Sequence, residues 1–290
     1  MPRISSGRTV DGVPAPALLL GSIVSIQIGA AIAVQLFPAI GPVATTFLRQ
    51  LIASVLLVVV FRRSIDATAR RHAGWIVFLG FTIAATNLSF YGAIDRIPLG
   101  LAVAIEFVGP LGLAAATSRK RLDFAWIGLA AVGLGLLVPE IGSSLDPLGV
   151  GLALVAGAGW ATMVLLNRRL GRLVTGHAGL ALAMVAAATF ALPVELVAGG
   201  LQRLDLGLLG AAAVVAVLST ALPLSLEFEA LKRVTPRTYG IVMTLEPVAA
   251  AVAGAVLLSQ GLDPKLVLAV VCVTIAALGV TLSDRRNVLG

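Results

Sequence analysis

Long apolar runs separated by short polar segments recur along the whole chain. A helix needs about 20 apolar residues to cross the hydrocarbon core of a bilayer. At that length the sequence predicts ten transmembrane helices, and we therefore expect an all-α integral membrane protein. The predicted helices span residues 17–36, 43–61, 73–91, 99–118, 124–139, 149–167, 178–197, 207–231, 238–257 and 265–283.

The composition agrees with this pattern. Of the 290 residues, 59% are hydrophobic and 12% are charged, and the mean hydropathy is +1.03. Soluble domains carry about 25% charged residues. The net charge of +7 could indicate a nucleic-acid partner, but the basic residues do not form one patch. We expect no nucleic-acid binding.

The basic residues instead predict the topology. Most Lys and Arg residues fall in the two termini and in every second connecting segment. Only Arg96, Arg203 and Lys265 fall in or at the edge of the segments on the opposite side. Short cytoplasmic loops of membrane proteins carry an excess of Lys and Arg. Both termini are therefore predicted to be cytoplasmic, with an N-terminal tail at 1–16 and a C-terminal tail at 284–290.

The ten predicted spans divide evenly into two repeats, 17–139 and 149–283. The segment Ala-Ile-Asp-Arg-Ile at 93–97 is similar to Ala-Leu-Lys-Arg-Val at 230–234, each just before the fourth span of its half. Five spans per half place the two halves in opposite orientations. Inverted repeats of this kind bind substrate near the midplane and alternate access between the two sides.

Glu106 and Glu246 each lie inside a predicted span and are followed within about one helical turn by a proline, Pro110 or Pro247. A carboxylate at the bilayer centre costs roughly 2.5–3.5 kcal/mol on insertion scales. Such a group can carry protons, but a neutral, hydrogen-bonded carboxyl group can also simply join two helices. We favour proton coupling for both glutamates.

A few other polar or aromatic side chains lie at mid-depth in the predicted spans. Amide groups are costly in hydrocarbon, so these side chains are expected to line a central cavity. For the hydroxyl groups, a bond to the preceding helical turn is an equally good explanation. The candidates are Gln27, Asn87, Trp160, Ser219 and Thr220.

Arg49 is the one basic residue in the interior of a predicted span, away from its ends. Its head group could extend to the membrane surface, neutralise Glu106, or bind a substrate carboxylate. Glu195 and Glu227 lie near helix ends, where exposure at the interface would explain them.

Several motifs together resemble the drug/metabolite transporter superfamily, EamA-domain type, and within it the threonine/homoserine exporters of the bacterial inner membrane. The resemblance extends from about residue 25 to 282. The motifs are Pro98–Pro110, Asp123–Trp126, Ala158–Ala161, Leu218–Pro223 and Leu245–Pro247.

This resemblance implies ten helices in two inverted repeats, and multi-pass insertion in the inner membrane. It implies export of small amino acids such as threonine and homoserine, driven by proton antiport. The expected partners are the amino acid, protons and the lipid bilayer, and a homodimer is a possible assembly. The residues that match the family's cavity are Gln27, Asn87, Glu106, Trp160, Ser219, Thr220 and Glu246.

Other functions stay open at this point. An EamA-type exporter of another small metabolite or drug is the main alternative, because Leu224 stands where an aromatic residue is expected. An integral-membrane enzyme acting on lipids would need a nucleophile with a base, or a metal cluster. His72 and His177 lie in basic loops away from such groups. We therefore expect no enzyme activity, metal or cofactor.

Overall fold

The computed structural model describes residues 13–62, 67–117, 121–136, 144–174, 178–231 and 242–283. Within these ranges the chain forms helices and no β-strand, which confirms the predicted all-α class for this part of the molecule. The helices are α1 (Ala15–Phe61), α2 (Ala67–Arg71), α3 (Ala73–Ile94), α4 (Leu99–Glu106), α5 (Val108–Thr117), α6 (Arg121–Gly135), α7 (Pro147–Leu173), α8 (Ala178–Ala198), α9 (Leu206–Ala216), α10 (Leu222–Leu231), α11 (Glu246–Leu257) and α12 (Pro264–Ser283).

The connecting turns include a 3₁₀ turn, Gly200–Arg203, before α9, and a π-helical turn, Val217–Ala221, between α9 and α10. The predicted tail at 284–290, nearly all of the tail at 1–16, and His177 lie outside the described residues.

Helix α1 contains the first two predicted spans without an intervening loop. Its 47 residues would extend about 70 Å if straight, more than twice the hydrocarbon thickness of about 30 Å. Gly41 breaks it with φ of +79°, a conformation that side chains disfavour, and Pro38 and Pro42 flank the break. The segment 37–42 between the first two predicted spans is therefore a sharp kink at Gly41 rather than a loop.

The predicted span 99–118 is divided into α4 and α5 by a turn at Phe107. Proline has no backbone N–H, so Pro110 cannot donate to the carbonyl of Glu106 in the usual helical bond. The interruption therefore falls directly after Glu106.

The predicted span 207–231 contains the π-helical turn. The N–H of Leu222 donates to the carbonyl of Val217, five residues back, and Pro223 donates nothing. This register leaves the Leu218 carbonyl without its usual helical partner. Ser25 Oγ of α1 donates to that carbonyl at 2.7 Å. The hydroxyl thereby joins α1 to the π turn.

Small residues allow the helices to approach closely. A Cβ atom on Gly80 of α3 would lie 2.6 Å from the Ala183 carbonyl oxygen of α8. One on Gly100 of α4 would lie 2.5 Å from the Ala251 Cα of α11. Close approach through small residues is typical of helix packing in membranes. Because α3 and α4 belong to the first predicted half, these contacts join the two halves tightly.

Much of the outer surface is apolar. Four described helical segments are long and apolar enough to cross a membrane: Ala15–Phe61, Ala73–Ile94, Pro147–Asn167 and Gly179–Ala198. Shorter apolar helices occur at Leu99–Leu113, Phe124–Gly133, Leu206–Ala221, Glu246–Leu257 and Pro264–Gly279. Large side chains such as Val197 (91% exposed) and Leu206 (87%) face outward. Extensive apolar exposure of this kind suits a lipid environment.

Glu195 differs from its predicted interfacial exposure, because it is only 1% exposed. The chain turns back at Gly199, which has φ of +71°, and lays the 3₁₀ turn over the end of α8. Glu195 Oε1 then accepts a hydrogen bond from the Leu201 N–H at 2.7 Å. The carboxyl group therefore has a structural contact that its position along α8 alone does not indicate.

Candidate functional site

A cavity of about 180 Å³ lies where α1, α3, α4, α7, the π turn and α11 meet. All predicted substrate-binding residues except Thr220 line it, and so does Arg49. Its polar and aromatic lining comprises Gln27, Arg49, Thr86, Asn87, Phe90, Tyr91, Glu106, Trp160, Ser219 and Glu246, and its apolar lining comprises Ile26, Ala30, Val103 and Met163. The fold brings the predicted residues together, while their roles stay predictions.

Thr220 is the predicted residue that the cavity lacks. It is 8% exposed, and its hydroxyl has no hydrogen-bond partner among the described residues. Neighbouring residues in a helical turn point in directions about 100° apart. Ser219 thus lines the cavity, whereas its neighbour Thr220 is buried outside it.

Arg49 contacts two side chains of α3. Its Nη2 donates a hydrogen bond to Asn87 Oδ1, and its guanidinium carbon lies 5.0 Å from the centre of the Tyr91 ring. Asn87 Nδ2 donates to the Ile83 carbonyl at 2.8 Å, which fixes the amide with its oxygen toward Arg49. The guanidinium group is thus held at the cavity rather than at the membrane surface.

The predicted ion pair between Arg49 and Glu106 is not among the ion pairs of the described residues, which join Arg96 to Asp95 and Asp146. The charge of Arg49 still acts on Glu106. Within the described ranges, Arg49 Nε has no hydrogen-bond partner. Arg49 therefore keeps donor capacity for an anion.

Glu106 and Glu246 face the same cavity from α4 and α11. Glu246 is 8% exposed, and its charge acts on Glu106. Among the described residues, Glu246 Oε2 and Gln27 Oε1 have no hydrogen-bond partner. Buried acceptors of this kind are costly unless a donor reaches them. The site therefore offers free acceptors to a cation or a proton.

The charges suit a small zwitterion. Two ionised carboxylates beside one guanidinium would leave an excess negative charge in surroundings of low dielectric. A proton or an ammonium group would balance it, and the guanidinium could bind a carboxylate. Among the residues that the structure describes, no group of three or more His, Cys, Asp or Glu side chains could hold a metal ion. The two carboxyl groups and the guanidinium group are suited to a molecule that carries both an ammonium group and a carboxylate.

Trp160 forms a rigid part of the wall. Its ring meets that of Phe107 edge to face, with centres 5.1 Å apart and planes at 89°. Edge-to-face pairs of aromatic rings are favourable by about 0.5–1.5 kcal/mol beyond their buried area. The predicted cavity aromatic is therefore held in one orientation by the residue that follows Glu106.

Sequence reasoning missed Thr86, Phe90, Tyr91 and Met163 as cavity residues. Residues four apart lie on one face of a helix. Tyr91 follows Asn87 by four positions, and Phe90 follows Thr86 by the same number. Helical periodicity starting from Asn87 could have found Tyr91, whereas Met163 carries no polar signal.

Backbone contact determines the position of Glu106. A Cβ atom on Gly157 of α7 would lie 2.6 Å from the Glu106 carbonyl oxygen, the group that Pro110 leaves without its helical donor. A Cβ on Gly109 would in turn collide with the Gly157 carbonyl oxygen. Helix α7 thus crosses the α4–α5 junction without an intervening side chain.

Gly157→Ala is therefore expected to lower stability by about 1–3 kcal/mol, as overpacked substitutions do, and to reduce transport. The added methyl group must push α7 away from Glu106. Thermal unfolding of the purified protein and substrate exchange in proteoliposomes would measure both effects.

Gly151→Ala is the matched control, because it lies on the same helix and its Cβ would have no atom within 4 Å. It should keep wild-type stability and exchange. Equal behaviour of the two variants would contradict the proposed close crossing.

Comparisons with known proteins find relatives along nearly the whole chain. The EamA-like transporter family matches residues 147–282. The chain is 39% identical to the threonine/homoserine exporter RhtA of Salmonella typhimurium (strain SL1344), covering 93% of this chain and 92% of that protein. It is 38% identical to RhtA of Escherichia coli (strain K12), with the same coverage.

Among the solved structures that match is a crystal structure with a TM-score of 0.60 at 17% sequence identity, covering 93% of this chain and 98% of that one. At this identity, the likeness establishes a common fold alone.

Proposed function

Because the chain belongs to the EamA-like transporter family, we propose that it is a secondary active transporter that exports small amino acids of the threonine and homoserine type. Export proceeds by proton antiport with alternating access across the bacterial inner membrane. The observation that carries the proposal is one cavity that holds two carboxyl groups and a guanidinium group. Among the described residues, Glu246 Oε2 and Arg49 Nε in this cavity have no hydrogen-bond partner.

The proposed architecture has ten spans in two inverted repeats, with both termini in the cytoplasm. Its support is the distribution of basic residues, the apolar helices and the apolar outer surface. The cavity lies among helices of both halves, where inverted-repeat transporters bind their substrates. Movement of one half against the other then opens the cavity alternately to the cytoplasm and to the outside.

Substrate binding follows from the opposite charges. The α-carboxylate of an amino acid binds Arg49, whose guanidinium group is held by Asn87 and Tyr91. Arginine binds carboxylates well because its planar donors match both carboxylate oxygens. The ammonium group binds at Glu106 and Glu246, which line the same cavity. A molecule with both charges thus satisfies the site.

The cavity size favours a small solute. At about 180 Å³ it lies below the roughly 300–1,000 Å³ of pockets for drug-sized ligands. This favours an amino acid over the bulkier drugs that another EamA-type exporter would carry. The hydroxyl groups of threonine and homoserine find polar partners in Gln27 and Ser219.

Antiport results from competition for the same carboxyl groups. A proton that enters from outside neutralises a glutamate and releases the ammonium group outward. Loss of the proton to the cytoplasm restores the carboxylate, which then binds the next substrate. The energy source is therefore the proton gradient.

Inside-out membrane vesicles test the proposal directly. With an acidic interior, vesicles containing the protein should accumulate labelled threonine above vesicles that lack it, and a protonophore should abolish the accumulation. Accumulation that is indifferent to the protonophore would contradict proton coupling. Absence of threonine and homoserine uptake and counterflow would overturn the substrate assignment, and a thermal-shift screen of other metabolites and cationic drugs would then identify the alternative cargo.

A further inference from the structure

A line of polar contacts connects the cavity to one end of α1. Ser22 Oγ donates to Glu227 Oε1 of α10 at 2.6 Å, and one turn further along α1, Ser25 Oγ donates to the Leu218 carbonyl. Beyond it, the backbone of Gly29 packs against Ser219, which lines the cavity. We call Ser22 and Glu227 the polar pair. Ser22 lies five residues before Gln27 on α1, which corresponds to about 8 Å along the helix at 1.5 Å per residue.

The polar pair is at least partly buried. Ser22 is fully buried and Glu227 is half-buried. Glu227 lies in the last turns of α10, toward the same end of the bundle as the start of α1. A carboxyl group within a membrane-spanning helix is costly and is typical of proton and ion pathways.

Glu227 also acts on the cavity. Its charge acts on Glu246, and the charge of Glu246 acts on Glu106. The groups that act on or contact Glu227 include Ser22 from α1 and, electrostatically, Glu246 from α11. Arg49 acts on Glu106 at the other end of the series. Glu246 Oε2, buried in the cavity wall, has no hydrogen-bond partner among the described residues. Two carboxyl groups lie in the cavity, and the third lies between it and the cytoplasmic end of the proposed topology.

Building on the proposed proton antiport, we infer that the Ser22–Glu227 pair is the route by which the proton leaves the cavity for the cytoplasm. Protonated Glu246 gives its proton to the carboxylate of Glu227, so Glu246 becomes a carboxylate and Glu227 a carboxylic acid. Glu227 then releases the proton to cytoplasmic water and returns to its starting state. The Ser22 hydroxyl stabilises the carboxylate form by its hydrogen bond, which favours release.

Glu227→Gln separates this route from the transport cycle itself. The amide keeps the shape and can still accept from Ser22, but it cannot carry a proton. Proton-driven threonine accumulation in inside-out vesicles should fall by about a hundredfold or more, the scale on which a single proton-transfer group acts. Exchange of labelled for unlabelled threonine, which moves no net proton, should persist. A loss of both activities would instead assign Glu227 to substrate movement or folding and would overturn the route.

Ser22→Ala provides a second test that leaves the carboxyl group in place. It should slow proton-driven accumulation by about 2- to 10-fold, the equivalent of one hydrogen bond. Half-maximal accumulation should also move to a more alkaline external medium, which is the cytoplasmic side in these vesicles. If Ser22→Ala leaves both the rate and the pH profile of accumulation unchanged, the proposed route is contradicted. This test does not depend on whether the Glu227 variant folds.

Ser54→Ala is the matched control for this serine. Ser54 is also buried in α1, but its hydroxyl donates to the Leu51 carbonyl of its own helix. It should leave accumulation unchanged. The wild-type protein keeps the two proposals distinguishable: absence of proton-driven accumulation in it would refute the proposed antiport, whereas its presence together with a fully coupled Glu227→Gln would refute only the exit route.

Discussion

Glu106→Gln and Glu246→Gln are each expected to slow proton-driven threonine accumulation by roughly 10- to 100-fold, since a hydrogen bond to a charged group contributes about 1.5–3 kcal/mol. Both side chains line the cavity and act on each other electrostatically. An amide can neither take up the proton nor balance an ammonium charge. Labelled threonine accumulation in inside-out vesicles measures the loss.

Exchange of threonine in the absence of a gradient then separates the two glutamates. The variant that loses accumulation but keeps exchange has lost the proton carrier, whereas the variant that loses both has lost an ammonium-binding group. Wild-type accumulation in both variants would refute the coupling role while sparing the assignment as a carrier.

Glu195→Gln is the control for these two substitutions. Glu195 is also buried, but it bonds the Leu201 N–H at the end of α8 and does not line the cavity. Glutamine keeps a carbonyl oxygen for that bond. Its accumulation and exchange should match the wild type, which would show that loss of coupling is specific to cavity carboxyl groups.

Arg49→Gln is expected to weaken threonine binding by roughly 10- to 100-fold, because a carboxylate would lose its charged donors. Binding of threoninamide, which has no carboxylate, should change little. The ratio of the two affinities, measured by competition against labelled threonine, therefore isolates the contact between Arg49 and the substrate carboxylate.

Arg49→Lys should restore only part of the preference for threonine over threoninamide. Lysine lacks the planar guanidinium group, which both donates to Asn87 and stacks on the Tyr91 ring. Arg203→Gln is the control, because Arg203 is exposed in the 3₁₀ turn outside the cavity. An equal loss of threonine and threoninamide binding in Arg49→Gln would refute carboxylate recognition and assign Arg49 to cavity structure.

The presence of polar groups deep in the predicted spans was sufficient to predict most of the polar residues that line the cavity. Gln27, Asn87 and Ser219 come from distant parts of the chain, yet each was selected because a polar group in hydrocarbon needs a partner. All three line one cavity. The same argument could not determine the contacts, because the pairing of Arg49 with Asn87 depends on how α1 and α3 face each other.

Sequence reasoning did not predict the contacts of carboxyl groups near helix ends. Depth along a helix does not reveal whether the chain folds back over its end, as it does at Gly199 to bury Glu195. Nor does it reveal a neighbouring helix that offers a donor, as α1 does to Glu227 through Ser22. Both environments depend on residues that are distant in the sequence.

The crossing of Gly157 over the Glu106 carbonyl also limits how this transporter could be redesigned for larger cargo. Backbone atoms meet there directly, so no change of side-chain rotamer can create room on that wall. Ile26 and Met163 line the same cavity with flexible apolar side chains. Selection for bulkier substrates should therefore recover substitutions at these two positions, while both glycines at the crossing stay unchanged.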